Sequence, residues 1–321
     1  MDRIKQHRQA HVLVMLPLLM LLQGCVFGLL DLTVPNAGYR EVITANYGEH
    51  PRQQLDLYLP EQCRADAPTL VFFYGGSWAR GSKENYRFVG QAFAEAGYPV
   101  AIPNYRVYPE YLFPDFIVDG ADSLAWLKQE GFADHGIVLM GHSAGAHIAA
   151  MLAYNPAYVE ASGFDHELIL ALIGYAGPYD AFDLSSRKLQ RIFAPAQPLE
   201  VSRPITFVDS NSPASLLLHG LRDKTVVVEH SENLAARLRA HEVVAETRFY
   251  HNSGHVAVVA SLAKPLRRWT PAFADTLDFL ARLTVEPPLS SRFSPGRVNG
   301  EPASVESIPC YLIVSFVDRA W

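Results

Sequence analysis

Cysteine is scarce in this chain of 321 residues, represented only by Cys25, Cys63 and Cys310. These three lack the spacing of a zinc cluster and are too few for a disulfide framework, so at most one intrachain bridge can form. The H-E-x-x-H pattern is missing, and His142 and His147 stand five apart, off one helical face, which disfavours a metal hydrolase. No metal and no cofactor is expected. Long basic runs are also missing, and 27 Lys+Arg against 33 Asp+Glu give a net charge of −6. An electrostatic grip on phosphate backbones is therefore a poor reading, and nucleic acid is not an expected partner. Internal repeats and low-complexity tracts do not occur. What is present is a composition 49% hydrophobic and 19% charged, which rules out overall disorder and suffices for one large domain or two small ones.

Residues 1–24 read as an address rather than as fold. Arg3, Lys5 and Arg8 precede an apolar run from Val12 to Leu22 that contains Pro17. That run is about half the ~20 residues a spanning helix needs, which identifies a secretory signal peptide instead. It ends at Leu22-Gln23-Gly24-Cys25, which resembles a bacterial lipobox. The resemblance implies cleavage before Cys25 and acylation of that residue, with a membrane partnership through two or three acyl chains, which anchor stably where one does not. The alternative is an ordinary signal peptide followed by a chance cysteine. Val26 rather than Asp follows, and by family analogy this favours the outer membrane of a bacterial cell envelope, facing the periplasm. Residues 25–38 would then be a tether.

From Tyr39 to about Leu283, strand-like runs alternate with helix-length amphipathic segments, a pattern that demands crossover connections and a mostly parallel sheet. The fold class is α/β. Tyr39–Tyr47 and Gln53–Leu59 are joined by a connection short enough for a hairpin, hence an antiparallel pair. Strands are expected at Thr69–Tyr74, Tyr98–Pro103, Gly136–Met140, Leu168–Tyr175, Ser215–His219 and Val243–Tyr250. Helices are expected near Asn85–Ala96, Pro114–Glu130, after Ser143, from about Val226, and at Pro271–Leu283. Residues 177–213, rich in Pro and polar side chains, are long for a connection and read as a small cap or lid over a site. Residues 284–321, punctuated by five prolines, form a tail with no assigned role, which adds an edge strand, stays disordered or carries Cys310 toward Cys63.

Gly141-His142-Ser143-Ala144-Gly145 follows an apolar strand and precedes a helix-forming run, so this G-x-S-x-G stands in the context its chemistry requires. The glycines permit a sharp turn that lifts the Ser143 hydroxyl above the sheet, at a helix N-terminus that favours nearby negative charge. A serine at its free pKa is a poor nucleophile, so an oriented base must be within reach. Downstream, the loop Phe249-Tyr250-His251-Asn252-Ser253-Gly254-His255 offers two histidines. The segment Leu216 to Asp223 is a strand running into a loop that ends in a carboxylate, which alternatively caps the following helix. Glu229 and Asp209 are substitutes for Asp223, whereas His219 and His147 read as satisfied structural histidines. Acyl transfer also needs donors aimed at the developing oxyanion. Tyr74-Gly75-Gly76-Ser77-Trp78 follows the third strand, and its two glycines let backbone N–H groups approach a ligand.

These residues together resemble the α/β-hydrolase superfamily, in its esterase, lipase and formamidase branch with an H-G-G-x-W loop and a G-H-S-A-G-A-H elbow. The match covers roughly residues 39–283. It implies Ser143 as nucleophile, His255 as base with His251 its rival, Asp223 as the acid, and an oxyanion hole from Ala144 with Gly75, Gly76 or Ser77. It further implies a small-molecule ester substrate, with an N-formyl or aryl amide as the rival chemistry on the same residues. From another class, a tethered binding module that has lost turnover predicts a missing triad member, and none is missing. Tyr74, Trp78 and His142 are candidate pocket residues, with core packing the alternative for Tyr74 and Trp78. Asn104-Tyr105-Arg106-Val107-Tyr108-Pro109 is similar to the branch's D-Y-R-L-x-P segment. The chain departs from the pattern twice. Tyr74 stands where the branch has a histidine that steadies the loop by hydrogen bonding, a task a tyrosine hydroxyl can take over, and Asn104 stands for Asp.

Overall fold

The computed structural model describes residues 34–64, 66–181 and 185–283. The signal-peptide and lipidation reading, Cys25, and the tail with Cys310 lie outside the described residues. Eight strands form one mixed sheet in the order β1-β2-β4-β3-β5-β6-β7-β8. They are β1 (Glu41–Asn46), β2 (Gln54–Leu59), β3 (Thr69–Phe73), β4 (Val100–Pro103), β5 (Ile137–His142), β6 (Ile169–Tyr175), β7 (Ala214–Gly220) and β8 (Ala245–Tyr250). The expected hairpin is present: β1 and β2 pair antiparallel from Glu41 opposite Leu59 to Asn46 opposite Gln54. β2 also runs antiparallel to β4, and every pairing from β4 to β8 is parallel.

Parallel strands need crossovers, and helices supply them. They are α1 (Arg87–Glu95), α2 (Asp115–Gln129), α3 (Ala144–Tyr154), α4 (Pro156–Ala161), α5 (Arg187–Ile192), α6 (Glu229–Ala240), α7 (His255–Ala260) and α8 (Ala272–Leu283). β3 and β5 are buried along their whole length, as their unbroken apolar runs require for strands covered on both faces. α3 is buried on every side, which explains why its sequence, AGAHIAAMLAY, has no polar stripe. Boundaries differ slightly from expectation: a 3-10 turn at Lys83–Tyr86 precedes α1, and α6 begins at Glu229 rather than at Val226. Among the described residues, no helix is long and apolar enough to cross a membrane.

The carboxyl ends of β3, β5, β7 and β8 open on one edge of the sheet, so the loops that follow them are brought side by side there. β3 lies between β4 and β5. The strand order reverses about it, and such a reversal leaves a crevice at the carboxyl edge. The 177–213 segment packs at this same edge. It contains α5 and 3-10 turns at Leu199–Ser202 and Pro204–Phe207. Phe193 fastens it to the body: its ring sits 4.9 Å from Trp78, 5.8 Å from Phe113 and 5.7 Å from His147.

Candidate active site

The turn from β5 into α3 is possible because nothing larger than hydrogen fits at its flanks. A Cβ on Gly141 would lie 2.4 Å from the Gly145 carbonyl oxygen, and one on Gly145 would lie 2.0 Å from that of Phe73. Between them Ser143 adopts φ 55°, ψ −123°, a conformation that L-residues avoid. Its backbone N–H is tied to the Tyr175 carbonyl at 3.0 Å, which holds the strained residue in place.

Three side chains distant in sequence meet here. His255 Nε2 lies 2.9 Å from Ser143 Oγ, and His255 Nδ1 lies 2.7 Å from Asp223 Oδ2. All three residues are at most 9% exposed. His255 opens α7, a helix absent from the elements expected on sequence. The rival His251 is exposed, as are Glu229 and Asp209. Asp223 does not cap the following helix, whose N-cap is Val228, but its Oδ1 accepts the loop N–H groups of Thr225 at 2.8 Å and Val226 at 3.0 Å. One carboxylate thus orders its own loop with one oxygen and faces the imidazole with the other. The base and acid loops are joined as well: the Arg222 N–H donates to the Ser253 carbonyl at 2.9 Å, and the Leu221 N–H to that of Tyr250 at 3.0 Å.

A second histidine faces the carboxylate. His219 Nε2 lies 2.9 Å from the Val226 carbonyl and 3.3 Å from Asp223 Oδ2, while its Nδ1 lies 2.8 Å from Ser231 Oγ. A carbonyl can only accept, so Nε2 carries the proton and Nδ1 takes the serine hydroxyl. The reading of His219 as a satisfied structural histidine holds, and its contact with Asp223 is visible only in the fold. Burial pushes the Asp223 carboxyl up, and the hydrogen bonds from His219 and His255 more than offset this, holding it well below the usual carboxylate range.

His142 stands beneath the site with its ring 4.7 Å from that of His255, and its Nε2 lies 3.1 Å from the His255 carbonyl. Burial first, and the neighbouring His255 second, push it down to about 3, so it is a neutral donor that pins the His255 backbone. His147 is likewise driven down to about 4 by burial. Its Nδ1 receives the Trp78 indole N–H at 3.3 Å and its Nε2 donates to the Ser202 carbonyl at 2.8 Å, linking α3 to the 177–213 segment.

A cleft of about 180 Å³ is lined by Ser143 and His255 and further by Gly75, Gly76, Ser77, His142, Thr225 and Val256. Gly75 is adjacent to the serine, since a Cβ there would lie 3.1 Å from Ser143 Cβ and 2.9 Å from His142 Nδ1. Gly76 takes φ 147°, and Ser77 and Trp78 both take φ 54°, so the loop's peptide groups are turned in a way ordinary strand exits are not. The Ala144 N–H belongs to the first turn of α3, where N–H groups have no carbonyl partner within the helix.

Tyr74 and Trp78 require correction as pocket residues. Both are buried, at 0% and 4% exposure, and neither lines the cleft. Their bulk is spent beneath the loop: Tyr74 stacks between Tyr86 at 5.6 Å and Tyr105 at 4.7 Å, and Trp78 packs into the aromatic cluster of Phe193. The Tyr74 hydroxyl receives a hydrogen bond from Arg52 at 2.9 Å and donates to Asn104 Oδ1 at 2.8 Å. The two positions at which the sequence departs from the branch's pattern are therefore bonded to each other. The 177–213 segment departs from a lid in the same sense, since none of its described residues lines the cleft. Sequence reasoning missed Arg80, Asn85, Tyr86, Thr225 and Val256 as wall residues, because only the folded loops bring them to the serine.

Residues 55–238 match the BD-FAE family. The chain belongs to that family, and its fold is that of the α/β-hydrolase esterases. It is 32% identical over 246 residues to a probable isoprenylcysteine alpha-carbonyl methylesterase of Arabidopsis thaliana, covering 69% of this chain and 58% of the relative. It is 30% identical over 218 residues to the esterase LipC of Mycobacterium tuberculosis, covering 60% of this chain and 54% of that protein. The chain thus spans less than two thirds of the length of these relatives. Among solved structures, esterase B of Lactobacillus rhamnosis superposes with a TM-score of 0.68 at 20% identity, covering 87% of this chain and 96% of that one.

Proposed function

We propose that this protein is a serine carboxylic ester hydrolase that acts on small esters through an acyl-enzyme. The observation that carries the reading is the unbroken line from Ser143 Oγ to His255 Nε2 at 2.9 Å and from His255 Nδ1 to Asp223 at 2.7 Å, on a strained serine beside a glycine loop. Ser143 Oγ attacks the ester carbonyl carbon as His255 Nε2 takes its proton, and Asp223 stabilises the imidazolium. The N–H groups of Ala144 and Gly76, with Gly75 or Ser77, receive the oxyanion. Collapse expels the alcohol, which leaves with the proton from His255. Water then repeats the sequence on the acyl-enzyme and releases the acid and the free serine. The cleft of about 180 Å³ is below the ~300–1,000 Å³ of pockets for drug-sized ligands, which supports a small acyl or alcohol group. The relatives above carry the names of esterases, which favours ester over amide chemistry.

Ser143→Ala should lower turnover of p-nitrophenyl butyrate by several orders of magnitude with the circular dichroism spectrum unchanged; retained turnover would exclude Ser143. A fluorophosphonate probe should label the wild type at Ser143. Failure to label would leave the inert binding module as the better account. A panel holding aryl esters and N-formyl aryl amides separates the esterase from its amidase rival. Export and lipid anchoring at Cys25 complete the proposal. Cys63 is disulfide-bonded, and such bonds persist in oxidising compartments such as the periplasm. Labelled palmitate should enter the wild-type chain and not Cys25→Ser.

A further inference from the structure

Away from the cleft, one surface combines an exposed aromatic side chain, an excess of positive charge and the entry point of the chain. Residues 263–269 make two successive tight turns, closed by the Leu266 N–H on the Ala263 carbonyl at 2.9 Å and the Trp269 N–H on the Leu266 carbonyl at 2.9 Å. They present Trp269, 53% exposed, with exposed Pro265 and half-buried Leu266. A lone exposed apolar side chain needs no explanation, but this one stands among cations. Lys264 and Arg268 are exposed, and the Arg267 guanidinium lies 3.6 Å over the Phe273 ring. Among the described residues, only Glu95 of α1 is ion-paired to these three, taking Lys264 Nζ at 2.7 Å. The cluster thus keeps an excess of two positive charges in a chain of net charge −6. The residues from Val34 onward run along the same helix: Arg87 Nη2 donates to the Val34 carbonyl at 2.8 Å, Gln91 Nε2 to the Ala37 carbonyl at 3.1 Å, and a Cβ on Gly38 would lie 2.9 Å from Glu95 Cβ. Arg87, Gln91 and Glu95 occupy successive turns of α1, so the entering chain and the basic turn meet at Glu95. Val34 stands nine residues after Cys25, a span of at most about 30 Å. A lipid at Cys25 therefore confines this side of the domain to the neighbourhood of the bilayer.

We propose that the turn from Lys264 to Trp269 is a docking surface for an anionic lipid bilayer, the one that holds the anchor at Cys25. Trp269 enters the headgroup boundary, where an amphipathic indole is at home, and Lys264 and Arg268 meet lipid phosphates. The inference rests on the lipid-anchoring reading above and adds to it a second point of contact, so that the domain takes one orientation over the membrane instead of swinging on its tether. A cation near an anionic surface is worth roughly fivefold in bound population, so Arg268→Glu, a change of two charges, should lower the ratio of docked to undocked domain about 25-fold. The attraction is screened as ionic strength rises.

The test uses the full, acylated chain reconstituted in vesicles of phosphatidylethanolamine and phosphatidylglycerol, roughly 3:1, with acyl chains brominated near the headgroup. Part of the tryptophan emission should be quenched by the bromines, and that part should vanish in Trp269→Phe, which leaves Trp78, Trp126 and Trp321 in place. It should shrink in Arg268→Glu, in phosphatidylcholine vesicles and in 0.5 M salt. Turnover of p-nitrophenyl butyrate should be unchanged in both variants, since neither residue lines the cleft. An acylated wild type whose quenching is the same in Trp269→Phe overturns the docking surface and leaves the anchor standing. Quenching that stays at full strength in phosphatidylcholine and in Arg268→Glu overturns the assignment to anionic lipid. A dimer in detergent that depends on Trp269, without quenching in vesicles, gives the surface to a second copy of the chain and overturns the proposal. If labelled palmitate does not enter the chain, the anchor is lost; quenching that depends on Trp269 when vesicles are added then still supports the surface, and its absence overturns both.

Discussion

Replacing Asp223 by asparagine keeps the shape of the side chain and reverses the hydrogen-bonding sense of one atom. The oxygen that accepts from the N–H groups of Thr225 at 2.8 Å and Val226 at 3.0 Å must remain an oxygen, so the new amide nitrogen takes the place of Oδ2. It then stands 2.7 Å from His255 Nδ1 and 3.3 Å from His219 Nε2. His219 cannot turn acceptor toward it, because the Val226 carbonyl at 2.9 Å requires the Nε2 proton and Ser231 occupies Nδ1. His255 can, but only by moving its proton from Nδ1 to Nε2, which removes the lone pair that would receive the Ser143 proton. Loss of the correct tautomer costs about 10⁴ in kcat in a serine-protease triad, and a fall of similar size is expected here. Stability should fall as well. A carboxyl held below its ordinary range contributes stability above pH ~4 that is lost as the pH falls through its folded pKa. Asparagine lacks that contribution, and hydrogen bonds to a charged acceptor are worth ~1.5–3 kcal/mol each, so about 2 kcal/mol is expected at pH 7. The assay is p-nitrophenyl butyrate turnover at pH 7.5 beside urea denaturation. A kcat within tenfold of wild type would refute the tautomer argument, and an unchanged urea midpoint at pH 7 would refute the linkage.

The pair formed by Tyr74 and Asn104 should behave as one unit: in a cycle of Tyr74→Phe, Asn104→Ala and the double variant, the coupling measured by denaturation should be about 1 kcal/mol, and strict additivity would deny the bond a role. His219→Leu should destabilise the fold by about 1–3 kcal/mol, since it leaves the Val226 carbonyl and the Ser231 hydroxyl buried without their partner, and His219→Gln should recover part of that loss in the same urea titration. Phe193→Ala should lower stability by about 3 kcal/mol through loss of its packing on Trp78, and limited proteolysis should then cut within residues 177–213; resistance equal to wild type would show that the segment is held by other contacts. Acid should destabilise the protein before its carboxylates titrate. His147 and His142 are driven down to about 4 and about 3, so the unfolded chain takes up their protons first and stability falls as pH drops below about 6.5. A urea midpoint that is flat from pH 7 to pH 5 would contradict this.

How far the sequence alone reaches can be read from individual residues. Ser143 was legible because a reacting serine needs a turn whose flanks exclude side chains, and that need writes a glycine two positions before it and another two positions after it. The sheet was legible because parallel strands buried on both faces carry apolar runs, as Leu70–Phe73 in β3 and Ile137–Met140 in β5 do. Distinguishing His255 from His251, four residues apart, depended on the resemblance, because either could be presented by a loop; the fold separates them by exposing one and seating the other at the start of α7. The misassignments share a cause. Aromatic residues beside a catalytic loop suit both a pocket wall and the packing beneath it, and no local pattern tells which way a ring points.

The Tyr74–Asn104 contact shows what a one-dimensional reading leaves out. Taken singly, a tyrosine for histidine and an asparagine for aspartate are two losses: a smaller, polar ring is replaced by a larger one, and a charge disappears. In space they answer each other. The tyrosine hydroxyl extends farther than an imidazole nitrogen and reaches the asparagine oxygen at 2.8 Å, and that oxygen also accepts the Lys83 N–H at 2.8 Å. A neutral hydrogen bond needs no compensation for a buried carboxylate, and Arg52, which donates to the tyrosine hydroxyl, is also occupied by the Tyr105 and Gly81 carbonyls. In this chain the contact between the two positions is a neutral hydrogen bond. The two side chains act as one bonded unit, and thirty residues of intervening chain hide that link from any reading made one position at a time.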